Sequence, residues 1–194
     1  FRLLHRTREL VAAHGDAANL YHQAAHVVGV QLTSPGIPAI YYGTEQAFDG
    51  SECNHDYQIE SARFAEDRYI REAMLGGDFG AFRTKGCHFF NRSHPTYLRI
   101  AAIAKIRNRP DLIGKTLRRG HIYLRETSYF NYPFAANGPG ELVAWSQILF
   151  ENEVLMTLNT HSWERRGADI TIDSSLHPDR STMTFLYRSD WSDD

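Results

Sequence analysis

The chain has 194 residues, 42% of them hydrophobic and 23% charged, with a formal net charge of -2. That is ordinary globular composition at a length for one domain or one and a half, and the slight negative balance counts against a nucleic-acid partner, which would bring a basic stripe. No apolar run is long enough to span a bilayer, the opening FRLLHRTREL has no signal-peptide core, and two cysteines, Cys53 and Cys87, do not make a disulfide framework.

In chain order, residues 2–14 read as a helix with Leu3, Leu4, Leu10 and Val11 on one face, stopped by Gly15. Asp16 is a good cap for a second helix, from Ala17 to about Leu32, in which Leu20, Ala24, Val27, Val28, Gln31 and Leu32 recur at helical spacing. Pro35, Gly36 and Pro38 forbid its continuation. Ala39 to Tyr42 then predicts a short strand, apolar without alternation and so buried on both faces, as in a helix-covered parallel sheet. Thr44 to about Arg92 is too long for a plain connection, and Ala65 to Met74 within it could be helical. Ser93 as cap and Pro95 in the first turn open a helix with Leu98, Ala102, Ile103 and Ile106 on its apolar face, ending near Asn108 before Pro110. After Gly120 the runs HIYLRET, ELVAWSQILF, EVLMTLN, ADITID and MTFLYRS, separated by turn residues, predict an antiparallel sandwich or part of one. The boundary between the two halves falls near residues 109–120.

Several side-chain groupings could carry chemistry. His22 and His26 are four apart on a helix, a zinc-like spacing, but Gln23 stands where a metalloprotease needs glutamate, so a structural or surface role is preferred. Cys53, His55 and Asp56 could reach four metal ligands only with Cys87 and His88, and no metal is expected. Arg107, Arg109, Arg118 and Arg119 form a basic cluster that a solvated helix end explains about as well as a ligand. Nucleophile elbows, phosphate loops and dinucleotide fingerprints are missing, and Leu75 to Phe82 has three glycines without the strand-to-helix setting a phosphate loop needs. Glu45, Asp49, Glu52, Asp56 and Asp78 lie on or near the long loop, and retaining glycoside hydrolysis needs two carboxyl groups about 5 Å apart. Sequence alone brings no two of them together.

The stretch GIPAIYYGTEQ resembles the eighth strand of the catalytic barrel in the α-amylase family of glycoside hydrolases, with Gly36, Ile37, Pro38, Ile40, Tyr41, Tyr42, Gly43 and Glu45 matching the pattern. Ala17 to Leu32 resembles that family's seventh helix and Ser93 to Asn108 its eighth. Pro110 to Leu112 and Leu117 to Gly120 are similar to the family's stretch after the eighth helix, and ELVAWSQIL…EVLMTLNT to the opening strands of its C-terminal β-domain.

The resemblance implies an α/β plus all-β chain: residues 1–115 would be the last part of a (β/α)8 barrel with a long loop after its final strand, and residues 116–194 an antiparallel β-sandwich domain. The family's nucleophile aspartate, acid/base glutamate and third aspartate follow barrel strands that would precede this stretch, so no catalytic residue is assigned. Asn54-His55-Asp56 spells the last of those motifs but lies after the eighth strand, and is read as coincidence. Thr44, Glu45, Asp49, Asp78 and Phe79 are the substrate-contact candidates on the strand's C-terminal rim. The resemblance further implies a retaining hydrolase or transferase of α-glucosidic linkages, acting on an α-glucan or oligosaccharide. Neither a cofactor, a nucleic acid nor a membrane enters. A lone barrel strand would need the N-terminal barrel part, or self-association, to cover its edges. The alternative is a non-catalytic carbohydrate-binding or interaction protein derived from the same fold.

Overall fold

The computed structural model describes residues 18–47, 90–136, 142–161 and 164–190. They form α1 (Ala18–Thr33), a 3-10 turn (Thr44–Gln46), α2 (Pro95–Arg107) and α3 (Leu112–Arg119), and then β1 (His121–Arg125), β2 (Thr127–Ser128), β3 (Leu142–Leu149), β4 (Asn152–Asn159) and β5 (Asp169–Ile170). The fold is thus α-helices followed by antiparallel sheets. The chain divides into two compact units. Of the described residues, one unit holds 18–28, 39–47 and 90–101, and the other holds 29–38 and the rest from 102 to 190.

In the first unit, α1 buries Ala25 and Val28 while Val27 is exposed. The apolar stripe is therefore turned by about one residue from the expected one: the lines through Ala25, Val28 and Leu32 and through Ala24, Val27 and Gln31 have the same helical spacing, and the former carries the apolar residue at its last position. α2 starts at Pro95, whose missing N–H costs nothing at a first helical position. Its cap is His94, not Ser93. The His94 carbonyl accepts from the Leu98 amide at 3.0 Å, and its Nδ1 accepts from the Thr96 amide at 3.3 Å. Thr96 Oγ1, fully buried, donates to the Tyr21 carbonyl at 3.2 Å, and the Tyr21 and His94 rings meet edge to face.

The second unit is organised around the end of α1. Thr33 Oγ1 donates to the Gly29 carbonyl and Ser34 Oγ to the Val30 carbonyl, closing the last turn locally. Arg107, buried at the end of α2, donates to the carbonyls of Leu32, Leu117 and Gly36. Trp145 Nε1 and Gln147 Nε2 of β3 both donate to the Thr33 carbonyl, at 3.4 and 2.8 Å. The last carbonyls of a helix have no partner within it and carry its negative pole, so a buried cation and two N–H donors are what that end requires.

Sequence does not predict α3, since Gly114 in DLIGKTLRR argues against a helix. Here the glycine is needed: a Cβ at that position would lie 2.1 Å from the Arg109 carbonyl oxygen. Asp111 caps the helix by accepting from the Gly114 amide at 3.2 Å. Arg118 donates to the carbonyls of Arg107 and Arg109, and Arg109 pairs with Asp111.

β1, β3 and β4 form one antiparallel sheet in that order, with Tyr123 opposite Ser146 and Trp145 opposite Met156. The central strand buries four consecutive residues, Ala144 to Gln147. Phe150, at φ 55, supplies the left-handed residue of the two-residue turn to β4. β2 and β5 form a second, two-stranded antiparallel sheet. Glu153 is the polar centre of this unit, its side chain only 1% exposed. Oε1 accepts from Arg125 at 2.7 Å and from Ser146 Oγ, and Oε2 accepts from the Asp173 amide at 3.1 Å with His177 Nε2 at 3.0 Å. One carboxylate thus ties β1, β3 and the turn after β5 to β4.

Two expected strands are absent from these sheets. Residues 39–42 run extended into a turn and belong to neither sheet, and Ile37, Ile40, Tyr41 and Tyr42 are exposed rather than buried. Positive φ at Gly36 and Gly43 brackets a run too short to set its own register. MTFLYRS, residues 183–189, is likewise outside both sheets, with Met183 and Phe185 exposed. The helices expected at 2–14 and 65–74 lie outside the described residues.

Removing the Glu153 carboxylate leaves Arg125 without its counter-charge in a largely buried site. Glu153→Leu is expected to destabilise the chain by about 3–5 kcal/mol in urea unfolding, and to speed hydrogen exchange at the Asp173 amide.

Candidate functional site

Thr44 and Glu45 are the two substrate-contact candidates that the structure describes. Gly43, at φ 84, turns the extended segment into the 3-10 turn, where Thr44 N donates to Tyr41 O and Gln46 N to Gly43 O. Both candidates are half-buried neighbours on this turn. Asp49, Asp78 and Phe79 lie outside the described residues, as do Cys53, Asn54, His55, Asp56, Cys87 and His88. The structure therefore brings Thr44 and Glu45 together and says nothing on the other three.

Gln46 holds the turn in place. It is only 2% exposed, its Nε2 donates to the Asn91 carbonyl at 3.2 Å, and its Oε1 accepts from the Asn91 amide at 2.9 Å. One side-chain amide thus satisfies both backbone groups of a residue 45 positions away, fixing the two ends of the long loop against each other. Sequence gives no role to Gln46, whose only signal is its place beside Glu45 in GTEQ.

His22 and His26 both lie on α1 and are half-buried. Among the described residues no three His, Cys, Asp or Glu side chains are grouped as a metal site. Burial, then the neighbouring His22 and Arg99, hold the His26 imidazole below its ordinary value. Burial also lowers His94, whose Nδ1 must stay unprotonated to cap α2.

The arginine cluster divides by role. Arg107 is the buried cation at the end of α1, held below the ordinary guanidinium value by burial first and by Arg118 second, and still charged. Arg109 and Arg118 bind backbone and Asp111 around α3, while Arg119 is exposed. A solvated helix end describes Arg119 and misses Arg107.

Comparison of the chain with protein-family models, with curated proteins and with solved structures returned no match.

Gln46→Leu keeps the bulk and removes both bonds to Asn91. It is expected to cost about 1 kcal/mol in urea unfolding, because two part-buried hydrogen bonds to an otherwise exposed residue are lost, and to raise exchange at the Asn91 amide. The lowered His26 and His94 values set a pH dependence. As pH falls, the unfolded chain takes up protons before the folded one, so their contribution is complete above about pH 6.5 and is lost below it. The thermal midpoint should drop between neutral and acid pH, and His26→Gln should make that drop shallower.

Proposed function

We propose that the chain is the C-terminal part of an α-amylase-like glycoside hydrolase acting on α-glucosidic linkages by a retaining mechanism. In this reading residues 39–42 are the core of the last strand of a (β/α)8 barrel, α1 and α2 are the helices before and after it, and the antiparallel sheets belong to a C-terminal β-sandwich domain. The observation that carries it is the exposure of the apolar run: Ile37 is 97% exposed, and Ile40, Tyr41 and Tyr42 are exposed with it. An apolar run at the surface between two turn-forming glycines supports a strand that belongs to a larger barrel.

The parent's active site is then assembled on the rim where that strand ends. Thr44 and Glu45 begin the loop at that rim and contact sugar, with Asp49, Asp78 and Phe79 further along the same loop. Gln46 acts as a positioning residue by pinning both ends of the loop. The nucleophile and the acid/base carboxyl, which retention requires about 5 Å apart, come from other strands. Glu45 therefore borders the reaction without carrying it, and the chain alone is catalytically silent.

The test has two arms. The reading frame upstream of Phe1 is expected to encode barrel strands followed by an aspartate and a glutamate in the family's order; a frame that encodes none contradicts the proposal. The purified 194-residue chain is expected to release no reducing sugar from maltoheptaose. Turnover that Asp56→Ala abolishes would place catalysis inside this chain and overturn the assignment.

A further inference from the structure

The loop after β2 is closed tightly on itself. Thr127 and Ala135 exchange both backbone hydrogen bonds, at 2.9 and 3.2 Å, Ser128 Oγ donates to the Tyr132 carbonyl, and Tyr132 N donates to the Tyr129 carbonyl at 3.1 Å. Its base is buried at Thr127 and Ser128, which also pair with Ile170 and Asp169 of β5. Its tip is the reverse: Phe130 is 78% exposed and Tyr132 and Phe134 are exposed beside it. Phe130 and Asn131 both hold left-handed backbone, at φ 48 and 62. That conformation is unfavourable for a bulky side chain, and burial of the Phe130 ring does not offset it. Tyr129 packs edge-on against Phe130 with centroids 4.2 Å apart, which braces the exposed ring from one side.

The loop's own sequence carries no charge, although Glu126 precedes it and Asp169 lies opposite Ser128 at its base. From Thr127 to Gly140 the sequence TSYFNYPFAANGPG contains no Asp, Glu, Lys, Arg or His, in a chain that is 23% Asp, Glu, Lys and Arg. A phosphate, an anionic lipid headgroup or a charged peptide would find no complementary partner in this stretch. Braced aromatic rings interleaved with an amide and hydroxyls instead match a neutral ligand that has apolar C–H faces and many hydroxyl groups. We propose that Tyr129 to Phe134 form a binding surface for a neutral hexopyranose chain, with Phe130, Tyr132 and Phe134 stacking on sugar rings and Asn131 hydrogen-bonding to hydroxyls. The choice of an α-linked glucan among such chains rests on the function proposed above; the ligand class does not.

The test is titration of the isotope-labelled 194-residue chain with maltoheptaose and, separately, with cellohexaose, read from backbone amide shifts, alongside co-sedimentation with phosphatidylcholine vesicles. Maltoheptaose is expected to shift the amides of Tyr129 to Phe134. The double substitution Phe130→Leu with Tyr132→Leu is expected to weaken binding about tenfold, and Phe185→Leu, at another exposed ring, to leave it unchanged. Wild-type shifts locate the site whether or not the variants keep their stability. Binding of cellohexaose in place of maltoheptaose at this loop would uphold the surface and contradict the α-glucan reading. Binding of neither sugar, shifts confined to other residues, or capture by vesicles alone would overturn the proposal.

Discussion

The second unit depends on how the C-terminal end of α1 is satisfied. A helix that stops inside a fold presents carbonyls that cannot be left bare, together with the negative pole of its dipole. In this chain the demand is met by a guanidinium from the end of α2 and by an indole and an amide from β3. Arg107 also takes the carbonyl of Leu117 at the end of α3, so one cation serves two helix termini. Its third acceptor, Gly36, anchors the chain where it leaves the helix. Residues separated by up to 114 positions are thereby tied to a single turn of helix.

That anchorage gives the apolar run beyond it a definite origin. Gly36 and Gly43 set the direction at either end, and Gln46 fixes the turn after it. The segment between them is held at its ends while its apolar side chains face solvent. At the Tyr129–Phe134 loop a closed and buried base carries exposed rings.

Periodicity made α1, α2, β3 and β4 legible in the sequence, because each has enough residues for its buried face to repeat. It placed the α1 face slightly wrong, since Val27 and Val28 score alike and only packing separates them. It missed α3, where Gly114 lowers helix propensity and a close approach to Arg109 repays it. It overstated 39–42 and 183–189, because β-branched and aromatic content reports fitness for a sheet and not membership of one. Of the candidate site, Thr44 and Glu45 were legible through a motif. Gln46, Arg107 and Glu153 were not, because their importance comes from partners distant in the chain that local pattern does not reveal.

The most direct test of this account is the unfolding free energy of Arg107→Met beside that of Arg118→Met, measured in urea at neutral pH. Methionine keeps much of the length and apolar stem of arginine but donates nothing to the carbonyls of Leu32, Leu117 and Gly36. The account predicts a loss of about 3 kcal/mol or more for Arg107→Met, with faster amide exchange in the last turns of α1 and α3, and a clearly smaller loss for Arg118→Met. A change at Arg107 within about 0.5 kcal/mol of wild type, the range of an ordinary surface substitution, would contradict it.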